Sequence, residues 1–269
     1  MKKTIGIVGC GTIGRALCSY ANKDLTEKVG GILLWDRDEK ALLSLSGDIP
    51  PAKPARSFEE VLNGSDLIVE AAGAEAVPDL LKAAISSGKD AMVMSVGGIL
   101  GSESLLDEAE SKGVRVLLPT GAIAGIDAVK AAKIAGIEEV SLTTRKPPAS
   151  LKGCEYFREK GIDLEKITSE TEVFRGSASE AMKYFPKNIN VSALLSLAGI
   201  GADKTVVRII TSPSFTNNSH DIRVSGKAGR LSMLSENVPS PGNPRTSYMA
   251  SLAAMASLKA YFSTVRIGT

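Results

Sequence analysis

The chain begins with an apolar run that leads directly into three regularly spaced glycines, Gly9, Gly11 and Gly14. Residues 5–8 are typical of a buried strand, and residues 12–23 have the pattern of a helix. A strand that ends in a glycine turn before a helix presents backbone N–H groups and a positive dipole end to a phosphate. Gly9 permits the tight turn, Gly11 lets the backbone approach the phosphates, and Gly14 lets the helix pack closely. The spacing predicts a dinucleotide-binding loop made of Gly9, Cys10, Gly11, Thr12, Ile13 and Gly14.

A second apolar run, residues 32–35, ends at Asp36. An acid about 20 residues beyond the glycine loop is where a carboxylate meets the adenosine ribose hydroxyls. This context distinguishes the loop from an ordinary glycine-rich turn between a strand and a helix. Asp36 favours NAD because its charge would repel a 2′-phosphate, whereas the adjacent Arg37 could neutralise that phosphate. We therefore expect NAD as the cofactor, with NADP tolerated.

Charge and cysteine content restrict the classes of partner. With 32 basic against 30 acidic residues and few aromatic side chains, the composition gives no electrostatic or base-stacking reason to expect nucleic acid. No stretch approaches the ~18 apolar residues of a membrane span, and the first apolar run is too short for a signal peptide. Cys10, Cys18 and Cys154 are odd in number and lack metal-ligand spacing, and a lone histidine cannot build a histidine-based zinc site. These features predict a cytoplasmic protein without a metal, membrane or nucleic-acid partner.

Strand and helix signals alternate from the N-terminus to about residue 118, which indicates a parallel sheet covered on both faces. After the first two strands, apolar runs at residues 67–69, 91–94 and 114–118 add three more. The pattern predicts a doubly wound, Rossmann-type domain over residues 1–118. In such a sheet the ligand lies beyond the carboxyl ends of the strands, which adds Ala71 to the expected cofactor site.

The remainder of the chain has a different pattern. Residues 140–144 alternate like a half-exposed strand, and three period-two segments follow at residues 205–211, 221–225 and 230–234. Such segments are typical of antiparallel strands with one face exposed to solvent. We therefore expect an α+β domain with a mixed or antiparallel sheet over residues 119–245.

A Pro- and Gly-rich loop precedes a final helix that we expect from about Arg245 to Phe262. This arrangement would place Arg245, Thr246 and Ser247 with free N–H groups at a helix start, which is a receptor for a carboxylate. The alternative is a plain loop–helix junction with an exposed arginine. Because the helix is largely apolar, we expect the segment 246–269 to pack back between the domains or into a dimer interface.

His220 is the single histidine of the chain. A lone histidine is more often structural than catalytic. However, residues 215–221 form a polar stretch between two strand signals, so we expect His220 in a loop, where catalytic groups concentrate.

Five motifs recur in this chain in the order of one known family. They are residues 9–14 (GCGTIG), 121–127 (GAIAGID), 190–193 (NVSA), 218–220 (NSH) and 241–247 (PGNPRTS). Together, over nearly the whole chain, they resemble the L-aspartate dehydrogenases. The resemblance implies oxidation of L-aspartate to iminoaspartate with NAD or NADP, a homodimer, and a place at the start of de novo NAD biosynthesis. The iminoaspartate would then either hydrolyse to oxaloacetate and ammonia or be handed to a quinolinate-forming enzyme.

The resemblance also implies roles for single residues. His220 is the implied active-site residue, and Ala124 and Asn190 are implied contacts of the nicotinamide half of the cofactor. For Asn190 this replaces a helix-cap interpretation, which the local sequence favours at the start of a helix expected from Asn188. The stretch 146–166 aligns least well with the family and is assigned no function.

The chemistry of amino-acid oxidation agrees with this assignment. The substrate ammonium must lose a proton before Cα can give up a hydride, because the nitrogen lone pair drives C=N formation. His220 is the only side chain whose ordinary pKa lies near neutrality, so we expect it to take the proton or to position a water that does. We expect Asn243, Arg245, Thr246 and Ser247 to bind one or both substrate carboxylates.

Two other functions stay open from the residues. The chain could be a reductase of the dihydrodipicolinate or aspartate-semialdehyde type. The semialdehyde chemistry needs a nucleophilic cysteine in the second domain, for which Cys154 is the one candidate. The chain could also be a dinucleotide sensor without turnover, which would bind NADH but reduce no NAD with any amino acid.

Overall fold

A computed structural model describes residues 1–185 and 189–268, and only the backbone of Pro244 and Arg245. The chain forms two compact units, of which the first contains Met1–Pro119 and Ala250–Ile267 and the second contains Thr120–Met249. Among the described residues, no helix is long and apolar enough to cross a membrane.

Strands and helices alternate through the first unit. They are β1 (Lys3–Val8), α1 (Thr12–Asp24), β2 (Val29–Trp35), α2 (Glu39–Asp48), β3 (Ala52–Pro54), α3 (Phe58–Gly64), β4 (Leu67–Glu70), α4 (Val77–Ser86), β5 (Asp90–Val93), α5 (Ser104–Ser111) and β6 (Val116–Leu117). The sheet is parallel, with the order β3-β2-β1-β4-β5-β6. The order reverses between β1 and β4, which is the point where dinucleotides bind in doubly wound sheets. The predicted Rossmann-type fold is therefore confirmed, although the short β3 and α3 were not predicted.

The second unit is built around a five-stranded mixed sheet. Its elements are α6 (Ile126–Ala135), β7 (Ile137–Lys146), α7 (Glu155–Glu159), β8 (Thr171–Ser177), α8 (Ala178–Tyr184), α9 (Asn190–Ala198), β9 (Thr205–Thr211), β10 (Asn218–Gly226), β11 (Gly229–Asn237), β12 (Pro239–Ser240) and β13 (Asn243–Ser247). The sheet order is β11-β10-β7-β9-β8. Only β7 and β9 are parallel within it, and the other neighbours are antiparallel. The predicted mixed sheet is confirmed.

The two faces of this sheet differ in chemistry. One face is apolar and covered, and it includes Val140 of β7, Val207 of β9 and Ile222 of β10, all buried. Gly199, at the end of α9, lies against Val140 and against Val129 of α6, so these helices pack on this face. The opposite face carries charged side chains around a groove of about 850 Å³. The alternation observed in the sequence thus marks which side of each strand is covered.

The last helix, α10 (Tyr248–Phe262), packs on the core of the first unit through Ala254, Leu258 and Tyr261. It begins at Tyr248, so the expected start at Arg245 was wrong. Residues 243–247 are extended instead because they pair with β12, with Ser247 opposite Pro239. The apolar character of the segment did not reveal this short hairpin.

Candidate active site

The glycine loop of the first unit has an open outer surface. Gly9 has φ +104°, and a Cβ there would overlap the backbone of Ala71, so both the turn and the packing require glycine. A Cβ at Gly14 would overlap the carbonyl oxygen of Gly9. A Cβ at Gly11, in contrast, would meet nothing within 4 Å. No described side chain forms a cap hydrogen bond at the N-terminus of α1, which begins directly after Gly11.

Asp36 holds this loop from the end of β2. Its carboxylate accepts hydrogen bonds from the N–H groups of Cys10 (2.7 Å) and Asp38 (2.8 Å). Asp36 is half-buried and the neighbouring Arg37 is exposed. Burial and the nearby Asp36 carboxylate raise the pKa of Cys10 to about 12, so its thiol stays neutral and is not a nucleophile. The loop residues and Asp36 thus fit the pyrophosphate and ribose of a dinucleotide.

Glu70, the last residue of β4, was not predicted as part of the site, and it is 0% exposed. Its Oε1 accepts hydrogen bonds from the N–H groups of Ala72 and Gly73, both at 2.8 Å. Its Oε2 accepts from Met94 at 3.2 Å and Ser95 at 2.8 Å. One carboxyl group therefore joins the loops that follow β4 and β5. The available signal was an acidic residue at the carboxyl end of an apolar strand, next to the predicted Ala71.

His220 lies on β10 in the second unit, not in a loop, and is 8% exposed. It pairs with Thr144 of β7 and Ser235 of β11, because both neighbouring strands extend past it in register. Its Nδ1 shares a hydrogen bond of 3.0 Å with the Thr144 hydroxyl. Burial and the positive charge of Lys146 lower the pKa of His220 to about 4, so the imidazole is neutral at physiological pH.

The buried side chain of Asn237, the last residue of β11, holds the loop before α6 in place. The Asn237 amide donates a hydrogen bond of 2.9 Å to the Ala122 carbonyl. Gly125 caps α6 in the left-handed region with φ +79°, and Ala124 directly before it is exposed. Ala124 is therefore accessible to a ligand on a fixed loop.

Asn190 is the first residue of α9, and it is exposed. The N-cap of this helix is Ile189, so the helix-cap interpretation of Asn190 was wrong. Asn188, where the helix was expected to begin, lies outside the described residues.

A small cavity of about 160 Å³ lies in the second unit. Its polar lining includes Asn218, two positions before His220, together with Asn237, Thr246 and Ser247. The Ser247 hydroxyl oxygen is buried and has no hydrogen-bond partner among the described residues.

The predicted substrate cluster is placed differently from expectation. Asn243, Thr246 and Ser247 lie on β13, so the expected receptor at a helix N-terminus was wrong. Thr246 and Ser247 nevertheless reach the cavity, and Asn243 is half-buried. The side chain of Arg245 lies outside the described part of the structure. In that part, no group of three or more His, Cys, Asp or Glu side chains is arranged to hold a metal ion.

Comparison with known families covers both units. The model of the aspartate dehydrogenase C-terminal domain matches residues 127–261, and that of the homoserine dehydrogenase NAD-binding domain matches residues 9–119. The L-aspartate dehydrogenase of Methanosarcina mazei is 42% identical over 270 residues, covering 98% of this chain and 99% of that protein. The L-aspartate dehydrogenase of Nitrosopumilus maritimus is 39% identical, covering 99% and 100%.

Solved structures give the same result. The aspartate dehydrogenase of Thermotoga maritima matches with a TM-score of 0.79 and 27% identity, covering 100% of both chains. A homoserine dehydrogenase from Thiobacillus denitrificans matches with a TM-score of 0.62 and 16% identity over 96% of this chain and 72% of that one, and so shares only the fold. The resemblance inferred from the motifs is confirmed, and the chain belongs to the L-aspartate dehydrogenase family.

Proposed function

We propose that this protein oxidises L-aspartate to iminoaspartate with NAD(P). The observation that carries the proposal is the position of His220, the single histidine. Burial on β10 keeps its imidazole neutral, and Asn218, two positions before it, lines a small polar cavity. Membership of the family over nearly the full chain supports the same conclusion.

The dinucleotide is proposed to bind to the first unit. Residues 9–14 would receive its phosphates at the start of α1, and Asp36 would meet the adenosine ribose. The half-buried Asp36 carboxylate favours NAD, while the exposed Arg37 leaves NADP acceptable. When bound, the dinucleotide supplies the hydride-accepting nicotinamide. Ala124 and Asn190, both exposed, are the proposed contacts of the nicotinamide half.

His220 is the proposed acid–base residue. Its neutral imidazole can accept a proton from the substrate ammonium, directly or through a water molecule, and the freed lone pair drives formation of the C=N bond as the Cα hydride leaves. The hydrogen bond to the Thr144 hydroxyl fixes the plane of the ring. The protein thus positions the substrate and moves one proton.

Asn243, Arg245, Thr246 and Ser247 are the proposed carboxylate ligands. Support comes from the cavity, which Thr246 and Ser247 line together with Asn218 and Asn237. Hydroxyl and amide donors of this kind hydrogen-bond carboxylates without introducing further charge.

The test is NADH formation from NAD with L-aspartate, compared with D-aspartate, L-glutamate, L-alanine and homoserine. Homoserine is the critical comparison because the first unit matches a homoserine dehydrogenase domain. Turnover confined to L-aspartate is the expected result. NADH binding without turnover of any of these would instead support a sensor, and turnover of homoserine alone would support a different dehydrogenase.

Three finer points belong to the same proposal. A homodimer is proposed from the resemblance to the family and can be measured by light scattering. A cytoplasmic location is favoured by the cysteine content. The fate of iminoaspartate, which is hydrolysis or delivery to a quinolinate-forming enzyme, can be decided by adding such an enzyme to the assay.

A further inference from the structure

Asn237, the last residue of β11, is 5% exposed and makes a hydrogen bond to a distant part of the chain. Its Nδ2 donates to the Ala122 carbonyl at 2.9 Å, across a sequence separation of 115 residues. A carbonyl oxygen can only accept a hydrogen bond, so the NH₂ end of the amide must face Ala122. This contact fixes the orientation of the Asn237 side chain, and it restrains residues 120–125, which we call the α6 loop.

The α6 loop contains two glycines in the left-handed region. Gly121 has φ +64° and Gly125 has φ +79°, a backbone conformation that glycine adopts at no steric cost. Inside the loop, the N–H of Ile123 lies 3.4 Å from the Thr120 carbonyl oxygen, which is longer than the usual range for such a hydrogen bond. We therefore expect the placement of Ala124, which is exposed on this loop, to depend on contacts from outside the loop.

Strand β11 supplies two such contacts from one face. A Cβ at Gly125 would overlap the sulfur of Met233, so the Met233 side chain packs directly on the end of the α6 loop. Alternate residues of a strand share a face, so Met233 and Asn237 lie on the same side of β11 as Ser235. Ser235 is the partner of His220 on β10, and paired residues also share a face. The α6 loop is thus held on the side of the sheet that carries His220.

Asn237 also belongs to the wall of the small cavity. It pairs with Asn218 on β10, and both residues line the cavity together with Thr246 and Ser247 of β13. One side chain therefore contacts both the cavity, where the substrate is proposed to bind, and the loop that carries Ala124, a proposed nicotinamide contact. Hydride transfer requires close alignment of the two reactants, and misplacement by about 1 Å can cost roughly 100-fold in rate.

We propose that Asn237 is a positioning residue for hydride transfer. Its amide holds the α6 loop, and with it Ala124, at a fixed place relative to the cavity, so that the nicotinamide and the substrate Cα meet at the correct separation. Asn237 exchanges no proton in this role and acts through the backbone of Ala122. The inference rests on the proposed function, since it takes Ala124 as a nicotinamide contact and the cavity as the substrate site.

The first test is nucleotide binding, which requires no turnover. NADH is compared with ADP-ribose, which has the same adenosine and phosphates but lacks the nicotinamide. Asn237→Leu keeps the approximate size of the side chain and removes the donor to Ala122. We expect it to raise the Kd for NADH about tenfold, as for the loss of a hydrogen bond to a buried carbonyl, and to leave the Kd for ADP-ribose unchanged. An unchanged Kd for NADH in the folded variant would overturn the proposal.

The second test separates positioning from direct binding of the substrate. In Asn237→Leu we expect kcat for L-aspartate oxidation to fall roughly tenfold to a hundredfold, with a smaller change in the KM for L-aspartate. A raised KM with kcat and the Kd for NADH unchanged would show that Asn237 is only part of the cavity wall, and would overturn the proposal. Asn237→Ala, which removes the same donor without filling its space, is the second variant if Asn237→Leu does not fold.

Thr205→Val is the matched control. Thr205, the first residue of β9, is buried in the same unit, and its hydroxyl donates a hydrogen bond of 2.8 Å to the Gly201 carbonyl. The variant loses a hydrogen bond of the same kind and should change neither kcat nor the Kd for NADH. Equal effects of Thr205→Val and Asn237→Leu would refute the inference and leave the proposed function intact.

The two proposals can fail separately. Absence of aspartate turnover in the unmodified protein would refute the proposed function. The comparison of NADH with ADP-ribose would still test whether Asn237 positions the α6 loop for the nicotinamide, because that comparison depends on binding alone.

Discussion

Glu70 shows how much of a binding surface can depend on one side chain. Its two oxygens accept hydrogen bonds from four backbone N–H groups in two separate loops. Both loops follow strands at the carboxyl edge of the sheet, where the dinucleotide is proposed to bind. The side-chain hydrogen bonds of Glu70 go to the backbone of Ala72, Gly73, Met94 and Ser95, none of which is a predicted cofactor ligand. We therefore expect Glu70 to support dinucleotide binding by holding the loop backbone in position.

Glu70→Gln keeps the shape of the side chain but replaces one acceptor with an amide that faces N–H donors. We expect the free energy of unfolding to fall by about 1–3 kcal/mol and the Kd for NADH to rise. Urea unfolding and NADH fluorescence titration measure the two effects. Glu75→Gln, an exposed residue of the same loop, is the control, and equal behaviour of the two variants would contradict this role.

His220 also makes stability depend on pH. Its pKa is about 4 in the folded protein against an ordinary 6.5, so the unfolded chain binds more protons between these values. Stability should therefore be fully present above pH 6.5 and be lost by up to about 3 kcal/mol as the pH falls to 4. Carboxylates titrate in the same range, so the measurement is the difference in urea unfolding between the native protein and His220→Gln. A difference that does not change with pH would show that the pKa of His220 is not lowered.

Of the site residues, the sequence predicted those that are recognised by a fixed local spacing along the chain. The glycine loop and Asp36 follow from a local spacing that the fold imposes, and the structure brings them together. The roles of Glu70 and Asn237 were missed because their hydrogen bonds join segments that meet only in the folded chain. His220 was assigned to a loop for the same reason, since polar residues join a strand when both neighbouring strands extend past them.

The elements of the first unit were easier to predict than the hairpin before the last helix. Buried parallel strands are continuous apolar runs, which the sequence shows directly. The two residues of β12 and the five of β13 are too short to display a period. Only their pairing distinguishes them from the start of α10.

Helix α10 is attached to the first unit by a polar contact as well as by its apolar face. The Tyr261 hydroxyl accepts a hydrogen bond from Lys3 Nζ (2.7 Å) and donates one to Asp90 (2.9 Å). Arg115 binds the same carboxylate and lies 4.5 Å from the centre of the tyrosine ring. Burial and Asp90 raise the pKa of Tyr261, so its hydroxyl remains a donor.

Tyr261→Phe removes this hydroxyl and leaves Asp90 with one donor fewer. We expect a loss of about 1–2 kcal/mol in the free energy of unfolding, measured by urea unfolding. Tyr248→Phe, at the exposed start of the same helix, is the control and should be neutral. A neutral Tyr261→Phe would show that the apolar contacts alone hold the helix.

At the scale of the whole molecule, the first unit is discontinuous in sequence. It contains residues 1–119 and 250–267, and the second unit lies between them in the chain. Ala254, Leu258 and Tyr261 belong to the same buried cluster as Ile5 and Leu17. The first unit therefore depends on residues from both ends of the chain.

A chain that stops at residue 249 lacks this part of the core. We expect it to lose cooperative thermal unfolding and the rise in Tm that NADH gives the full chain. A chain that stops at residue 262 keeps α10 and is the control. A cooperative transition and a rise in Tm with NADH in the shorter chain would contradict the dependence on α10.

The order of synthesis gives this discontinuity a further consequence. The ribosome makes α10 after the second unit, so the nucleotide-binding unit acquires this helix only once the second unit has been made. Until then the apolar residues that α10 covers are exposed to solvent, and we expect this to favour binding of chaperones to the nascent chain. Dinucleotide affinity would then appear only in molecules translated through α10, and interrupted chains would be unable to sequester the cofactor.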